Sequence, residues 1–340
     1  MTTVFRHSPI VLATAITMLT MVSSAAQRSA QPERDATPTG TKFERFFTQD
    51  KFGRRITFYV SAASGQGAGS PLVVFVQGSG CTSQFVRRGD QVYGGLQNLV
   101  LQKAENRARV LVVEKPGVTF LDTNDRPGSG EKCSPAFLAE HTLDRWGEAV
   151  SASLKAAWQL PGIDARQTLI VGHSEGGIVA ARVAAENEQV THVASLAGGG
   201  PTQLFDLAEL ARQTAKPEER AARDPGESVY DAWRTIEADP DSVTKFFMGH
   251  PYRRWSSFLK TSVLTELLRS HARVYLAHGT RDQAVTVSGF DVLRAELAAR
   301  GRQVTVERVE GADHGFVRGP EDQEGIRTIF GHVMQWFLAG

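Results

Sequence analysis

The residues best suited to chemistry lie in the segment Q-T-L-I-V-G-H-S-E-G-G-I-V-A-A at 167–181. Ser174 stands between Gly172 and Gly176 in the pattern G-x-S-x-G. The apolar run before it predicts a short buried strand, and the Ala- and Val-rich run after it predicts a helix packed on a sheet. At such a corner the glycines leave room for neighbouring backbone, and the serine hydroxyl is exposed near the positive end of the helix. Ser174 is therefore the candidate nucleophile; a Gly-rich connection in an ordinary sheet protein is the plainer alternative.

Two later segments supply the partners that a serine nucleophile needs. A serine hydroxyl attacks well only when a base removes its proton. Asp282 closes H-G-T-R-D at 278–282, and His314 lies in G-A-D-H-G-F at 311–316; each segment follows its own predicted strand. The order Ser, Asp, His along the chain is typical of one architecture that uses such a triad. We predict that Asp282 orients His314 and that His314 is the general acid/base, while the adjacent Asp313 has a structural role in the turn.

Strands and helices alternate along most of the chain. This alternation implies a mostly parallel sheet with right-handed crossovers, in which ligands bind beyond the carboxyl ends of the strands. A hairpin is expected within 43–62. The predicted strands are 71–77, 109–114, 169–171, 190–196, 272–277 and 303–309, and the predicted helices lie within 94–107, 143–160, 178–185, 290–300 and 325–338.

Two segments interrupt the alternation. Residues 115–139 contain three prolines and are expected to form a long irregular connection. Residues 201–268 are rich in charge and have helical spacing, which predicts a helical insertion over the strand ends, called the cap below. Its aromatic side chains could line a substrate pocket or form the cap's own small core, and both interpretations remain open. These side chains are Trp233, Phe246, Phe247, Tyr252, Trp255 and Phe258.

Together, the three segments that contain Ser174, Asp282 and His314 resemble those of the α/β-hydrolase family. The likeness extends from about residue 43 to the end of the chain, apart from the cap. It implies an α/β-hydrolase fold, with a mostly parallel eight-stranded sheet flanked by helices and one antiparallel strand near its start. It also implies that the three residues act as nucleophile, orienting carboxylate and general acid/base.

The oxyanion that forms during acyl transfer needs preorganised hydrogen-bond donors. The resemblance implies two of them, the backbone N–H of Glu175 and an N–H from the loop after the 71–77 strand. Members of the family often have His-Gly in that loop, whereas this chain has Gln77-Gly78-Ser79-Gly80, so the N–H of Ser79 is our candidate. For the Glu175 side chain, recognition of a cationic substrate group and a local ion pair are both considered.

The start of the chain predicts export. Arg6 and His7 precede an apolar run over 9–22 and then small residues at 23–26, which is the pattern of a secretory signal peptide at 1–26. An uncleaved N-terminal anchor is the alternative. Residues 27–41 are expected to be a flexible leader, and 42–340 to be the folded domain. We therefore expect a periplasmic or extracellular protein without a membrane span after signal removal.

Export makes a disulfide between Cys81 and Cys133 feasible, because disulfides persist in oxidising compartments. Both cysteines are expected in loops near the proposed oxyanion loop, where a bridge would restrain the 115–139 connection. Two free thiols are the alternative.

Composition argues against several other classes. The net charge of +1 over 340 residues does not suggest a nucleic-acid partner. No Cys, His and carboxylate cluster has the spacing of a metal site, and we expect neither metal nor cofactor. We predict a serine hydrolase that cleaves a small-molecule ester through an acyl-enzyme. The alternatives are a serine peptidase or amidase on the same fold and a catalytically silent binding module; the sequence does not set the oligomeric state.

Overall fold

The computed structural model describes residues 1–2, 31–62 and 69–339. Residues 31–340 form one compact unit, and residues 1–30 are assigned to another. The predicted signal peptide therefore falls, apart from its first two residues, outside the described residues. No helix in the described part of the chain is both long and apolar enough to cross a bilayer.

A nine-stranded sheet forms the centre of the fold, in the spatial order β1-β2-β3-β7-β4-β8-β9-β12-β13. Two small hairpins, β5–β6 and β10–β11, lie outside it. The strands are β1 (Glu33–Arg34), β2 (Phe43–Gln49), β3 (Arg55–Ser61), β4 (Ser70–Val76), β5 (Phe85–Arg88), β6 (Gln91–Gly94), β7 (Arg109–Val113), β8 (Ile163–His173), β9 (His192–Leu196), β10 (Phe246–Phe247), β11 (His250–Pro251), β12 (Arg273–Gly279) and β13 (Val304–Val309).

The predicted mostly parallel sheet is confirmed, but it has one more strand than predicted. The six strands from β7 to β13 in spatial order pair in parallel, and β3 joins them antiparallel at β7. The additional strand is β1, whose Glu33 and Arg34 pair with Phe47 and Phe46 of β2. Part of the predicted flexible leader is therefore attached to the sheet edge. Two polar residues give no periodic signal, so sequence patterning missed this strand.

Helices cover both faces of the sheet. They are α1 (Leu96–Ala104), α2 (Pro135–Glu140), α3 (Leu143–Ala157), α4 (Glu175–Glu186), α5 (Gln203–Thr214), α6 (Pro217–Ala222), α7 (Glu227–Glu237), α8 (Tyr252–Phe258), α9 (Val263–Arg269), α10 (Val287–Ala299) and α11 (Ile326–Leu338).

The side chains of β4 show how the two layers are built. Successive residues on a strand point to opposite faces. Leu72, Val74 and Val76 accordingly join a core with α3, α4, α9 and α10, whereas Val73 and Phe75 join a core with α1 and α11. The continuous apolar run of this strand is thus explained by burial on both faces.

The predicted cap region contains five helices between β9 and β12. A separate small core links α5, α7 and α8 and includes Leu207, Val229 and Trp255. The last helix of the region, α9, instead buries Val263 and Leu267 in the main core beside α4. The separate cap core therefore ends at Leu259, and α9 belongs to the layer that supports the sheet.

Candidate active site

Ser174 lies at the corner where β8 ends and α4 begins. Its φ is 58°, a left-handed conformation that is uncommon for a residue with a side chain. The backbone there is too crowded for a side chain at either glycine: a Cβ on Gly172 would lie 1.9 Å from the Gly176 carbonyl oxygen, and one on Gly176 would lie 2.1 Å from the Val76 carbonyl oxygen. The corner therefore requires both glycines and leaves the serine at the amino end of α4.

Asp282 and His314 are brought together at the ends of neighbouring parallel strands. Asp282 follows β12, and His314 follows β13, with His314 Nδ1 2.7 Å from Asp282 Oδ2. The other carboxylate oxygen accepts hydrogen bonds from the backbone N–H groups of Ala284 and Val285 at 2.8 and 3.0 Å. Burial alone would raise the pKa of Asp282, but the imidazole of His314 and the two N–H groups hold it below its usual range. Asp282 is thus ionised and accepts the Nδ1–H of His314, which leaves the lone pair of the imidazole on Nε2.

His173 supports the loop that carries His314. Its Nε2 lies 2.8 Å from the His314 carbonyl oxygen, so this nitrogen donates, and its ring packs on the rings of His314 and Phe316. Burial lowers the pKa of His173 to about 4, and the neighbouring imidazole of His314 adds to this shift. His173 is therefore a neutral packing residue at the corner. Asp313 accepts hydrogen bonds from the N–H groups of Gly315 and Val317, which is the structural turn role expected of it.

A cavity of about 560 Å³ opens beside Ser174, between the sheet end and the cap. This volume is in the range of small-molecule sites. Ser79 and Glu175 line it together with Ser174, so the structure brings three of the predicted site residues to one space. His314 borders an adjoining groove that shares Gln283 and Ala284 with the cavity. From the cap, the cavity is lined by Gln203, Asp206, Leu207, Leu210, Ala211, Thr214, Ser228, Val229, Phe247, Met248, His250, Arg254 and Trp255.

Two of the six cap aromatics fit both interpretations considered for the set. Phe247 and Trp255 line the cavity and also belong to the small cap core, where their rings meet edge to face. Phe258 packs in the main core instead. Phe246 is 37 % exposed and belongs neither to the cavity lining nor to the cap core.

The Glu175 side chain is buried in an ion-pair cluster, which is the local ion pair considered for it. His141 Nε2 lies 2.8 Å and Lys115 Nζ 3.1 Å from its Oε1, and Arg254 donates to Oε2 through Nη2 at 2.9 Å. All four side chains are at most 2 % exposed. Burial would raise the pKa of Glu175, but these partners hold it well below its usual range. Burial lowers the pKa of His141 to about 4, so that histidine is neutral.

Lys115 also reaches the loop proposed to hold the oxyanion. Its Nζ donates to the carbonyl oxygens of Gly78 at 2.6 Å and Gly80 at 3.1 Å. In the sequence Lys115 lies at the start of the connection predicted to be irregular, and these contacts were not predicted for it. A lysine directly after a buried strand is usually exposed, so the sequence held no signal for it beyond its position at a strand end.

Cys81 and Cys133 form a disulfide. It joins the loop after β4 to the 115–139 connection, and Val118 and Phe137 pack around it. The predicted pairing and its place beside the proposed oxyanion loop are therefore observed. Across the described residues, no group of three or more His, Cys, Asp or Glu side chains is arranged to hold a metal ion.

Comparison with known proteins identifies the fold family. The sequence model of the alpha/beta hydrolase family matches residues 73–324, which is more than half of the chain. No curated protein matched the chain.

Several solved structures share the fold at low sequence identity. A puromycin-hydrolyzing peptidase from Mycobacterium tuberculosis is 19 % identical with a TM-score of 0.54, covering 90 % of this chain and 38 % of the peptidase. An acylaminoacyl peptidase from Pyrococcus horikoshii is 16 % identical with a TM-score of 0.58, covering 88 % of this chain and 42 % of the peptidase.

Est1E from Butyrivibrio proteoclasticus, solved with ferulic acid, is 17 % identical with a TM-score of 0.56, covering 86 % of this chain and 99 % of Est1E. This chain thus spans about two fifths of the length of the two peptidases and nearly all of Est1E. Because the family model matches most of the folded unit, the protein belongs to the alpha/beta hydrolase family.

Proposed function

We propose that this protein is a serine hydrolase in which Ser174, His314 and Asp282 act as a catalytic triad. The observation that carries the proposal is the imidazole of His314 held 2.7 Å from the buried Asp282 carboxylate, at the sheet end where the half-buried Ser174 lines the cavity. That contact leaves the Nε2 lone pair free to take a proton. A positioned base of this kind is what a serine hydroxyl requires.

The proposed reaction proceeds in two steps. Ser174 Oγ forms a bond to the substrate carbonyl carbon while its proton passes to Nε2 of His314. As the tetrahedral intermediate collapses, the bond to the leaving alcohol breaks and the imidazolium gives that alcohol the proton. Water then attacks the acyl-enzyme, its proton passes to His314, and Ser174 regains the proton as the carboxylic acid leaves. The N–H groups of Glu175 and Ser79 are proposed to stabilise the oxyanion in both steps.

We propose a carboxylic ester as the substrate. The likeness to Est1E, solved with ferulic acid, over 99 % of that protein supports this choice, and the cavity offers apolar walls beside Ser174. An amide or peptide substrate is the second candidate, because the other neighbours named above are peptidases. Turnover of short acyl esters against aminoacyl amides distinguishes the two.

A labelling experiment tests the triad. A fluorophosphonate should form an adduct on Ser174 of the folded protein, located by peptide mapping, and heat-unfolded protein is the control that should stay unlabelled. Ser174→Ala should lower kcat for esters by about 10⁴-fold or more, because the covalent step is lost. Full ester turnover by Ser174→Ala would refute the proposal.

We also propose that the protein is exported. The support is the pattern of residues 1–26 in the sequence together with the Cys81–Cys133 disulfide, a bond that persists in oxidising compartments.

A further inference from the structure

Lys115 is a buried cation that the triad does not use. It follows β7 by two residues, at the same sheet end as Ser174, and its side chain is 1 % exposed. Burying an ammonium is costly unless every donor is satisfied. The contacts of Lys115 must therefore offset the cost of burying its ammonium.

The three donors of the ammonium are all engaged. They reach the carbonyl oxygens of Gly78 and Gly80 and the carboxylate of Glu175. An ammonium has three donors, so none is left over for substrate or water. Lys115 thus joins the loop after β4 to the first residue of α4, which are the two segments proposed to supply the oxyanion donors.

The contact with Gly78 has a direct consequence for Ser79. The Gly78 carbonyl and the Ser79 N–H belong to one planar peptide, and in a trans peptide they point in opposite directions. No cis peptide bond occurs in the described residues. Since the carbonyl is directed at Lys115, the Ser79 N–H is directed away from it. A Cβ on Gly78 would lie 3.8 Å from Ser174 Oγ, so this peptide adjoins the nucleophile.

We propose that Lys115 is a positioning residue, which fixes the Gly78–Ser79 peptide so that the Ser79 N–H is held ready for the oxyanion. This inference rests on the proposed function, since it presupposes acyl transfer at Ser174. The carboxylate of Glu175 also binds the ammonium of Lys115. Because Glu175 is the first residue of α4, the helix that follows Ser174 helps to fix the position of the 78–80 loop. Lys115 itself touches no reacting atom.

The other two partners of Glu175 do not share this role. His141 donates to the same carboxylate oxygen of Glu175 as Lys115 does, and Arg254 donates to the other oxygen and to Gln203. Neither makes a hydrogen bond to the 78–80 loop among those found in the described residues. His141 therefore offers a matched control, because its removal disturbs the Glu175 carboxylate without releasing the loop.

The test compares Lys115→Met with His141→Gln in the full-length, disulfide-bonded protein. For Lys115→Met, we expect kcat for an ester to fall about 10- to 100-fold with KM within about threefold, a smaller loss than removal of an oxyanion donor itself causes. Affinity for a trifluoromethyl ketone, which forms a tetrahedral adduct, should fall by the same factor as kcat/KM. His141→Gln should change kcat and the affinity for the trifluoromethyl ketone by less than about threefold.

Thermal unfolding checks that each variant is folded. If Lys115→Met does not fold, Lys115→Gln, which keeps an N–H donor near the loop, is measured in the same way and should lose about tenfold in both quantities. A folded Lys115 variant with kcat and ketone affinity within twofold of wild type would overturn the inference. Equal losses in His141→Gln would also overturn it, because the effect would then come from the Glu175 cluster as a whole.

The outcome is separable from that of the proposed function. If wild-type protein gives no Ser174 adduct with a fluorophosphonate, the proposed function fails whatever Lys115 does. If wild type is labelled and the Lys115 variants keep full activity, only the positioning role fails.

Discussion

Asp206 is the residue in the cavity wall whose protonation has the clearest physical consequence. It lies in α5 of the cap, is 3 % exposed, and accepts one hydrogen bond from the Gly200 N–H at 3.1 Å. Its Oδ1 has no hydrogen-bond partner among the described residues. Burial raises the pKa of Asp206 to about 7; the Gly200 N–H opposes this rise, and the charge of Asp282 adds to it.

A pH-dependent gain in stability is expected for Asp206→Asn. Because the folded pKa lies above the unfolded value of 3.8, charging Asp206 destabilises the fold progressively as pH rises from about 4 to about 7. The amide is never charged, so the variant should match wild type near pH 4. It should have a free energy of unfolding larger by roughly 2–4 kcal/mol at pH 8.

Urea unfolding at pH 5 and pH 8 measures this difference. Asp90→Asn, at an exposed position, is the control and should show no such trend. The same stability difference for Asp206→Asn at both pH values would contradict the expectation.

At the scale of elements, the corner between β8 and α4 is the junction least tolerant of change. Backbone atoms, which cannot move aside as a flexible side chain can, surround the Cβ positions of Gly172 and Gly176. By contrast, Gly147 in the middle of α3 has room, since its nearest neighbour for a Cβ is Arg182 Cγ at 3.5 Å. The two kinds of glycine should respond oppositely to alanine.

Gly176→Ala should destabilise the protein by at least about 3 kcal/mol, because the methyl group overlaps the Val76 carbonyl oxygen. Gly147→Ala should leave the stability unchanged or raise it by about 0.5–1 kcal/mol, since alanine has the better helix propensity. Denaturant midpoints and soluble yields of the two variants check both statements. A Gly176→Ala protein as stable as wild type would mean that the corner differs from the one described.

At the scale of the whole molecule, the disulfide makes the stability of the fold depend on the redox conditions of the compartment that holds the protein. Cys81 and Cys133 are 52 residues apart, so the bond removes much freedom from the unfolded chain. Its loss should cost about 2–5 kcal/mol. It also restrains the loop that carries Ser79, so the reduced protein should lose activity as well as stability.

Two matched preparations of the protein test the proposed export. Full-length protein expressed in a bacterium should be recovered from the periplasm or medium with its N-terminus near residue 26 or 27 and no alkylatable thiol, as intact mass would show. A chain starting at Gln27 and kept in the cytoplasm should have two alkylatable thiols and a lower Tm. An exported protein that retains Met1, or that has two free thiols without reduction, would argue against the proposal.

The order of strands and helices followed from local patterns that the sequence itself contains. Runs such as that of β4 are apolar throughout because both faces are buried, and the corner at Ser174 needs glycines for steric reasons. In a parallel sheet the strand ends meet at one edge, so Asp282 and His314 could be expected near each other from their positions alone. Short polar strands such as β1 were missed, because two residues have no period.

Only the tertiary structure determined which side chains surround Glu175. Lys115, His141 and Arg254 lie 60, 34 and 79 residues from Glu175 along the chain, and no local pattern relates them. Because charged side chains are usually exposed, the residue types of Lys115 and Arg254 predicted positions on the protein surface. Only the folded backbone brings them close enough to Glu175 for charge pairing and hydrogen bonds to offset the cost of burying them. That is why the sequence could indicate the candidate triad but not the buried cluster around Glu175.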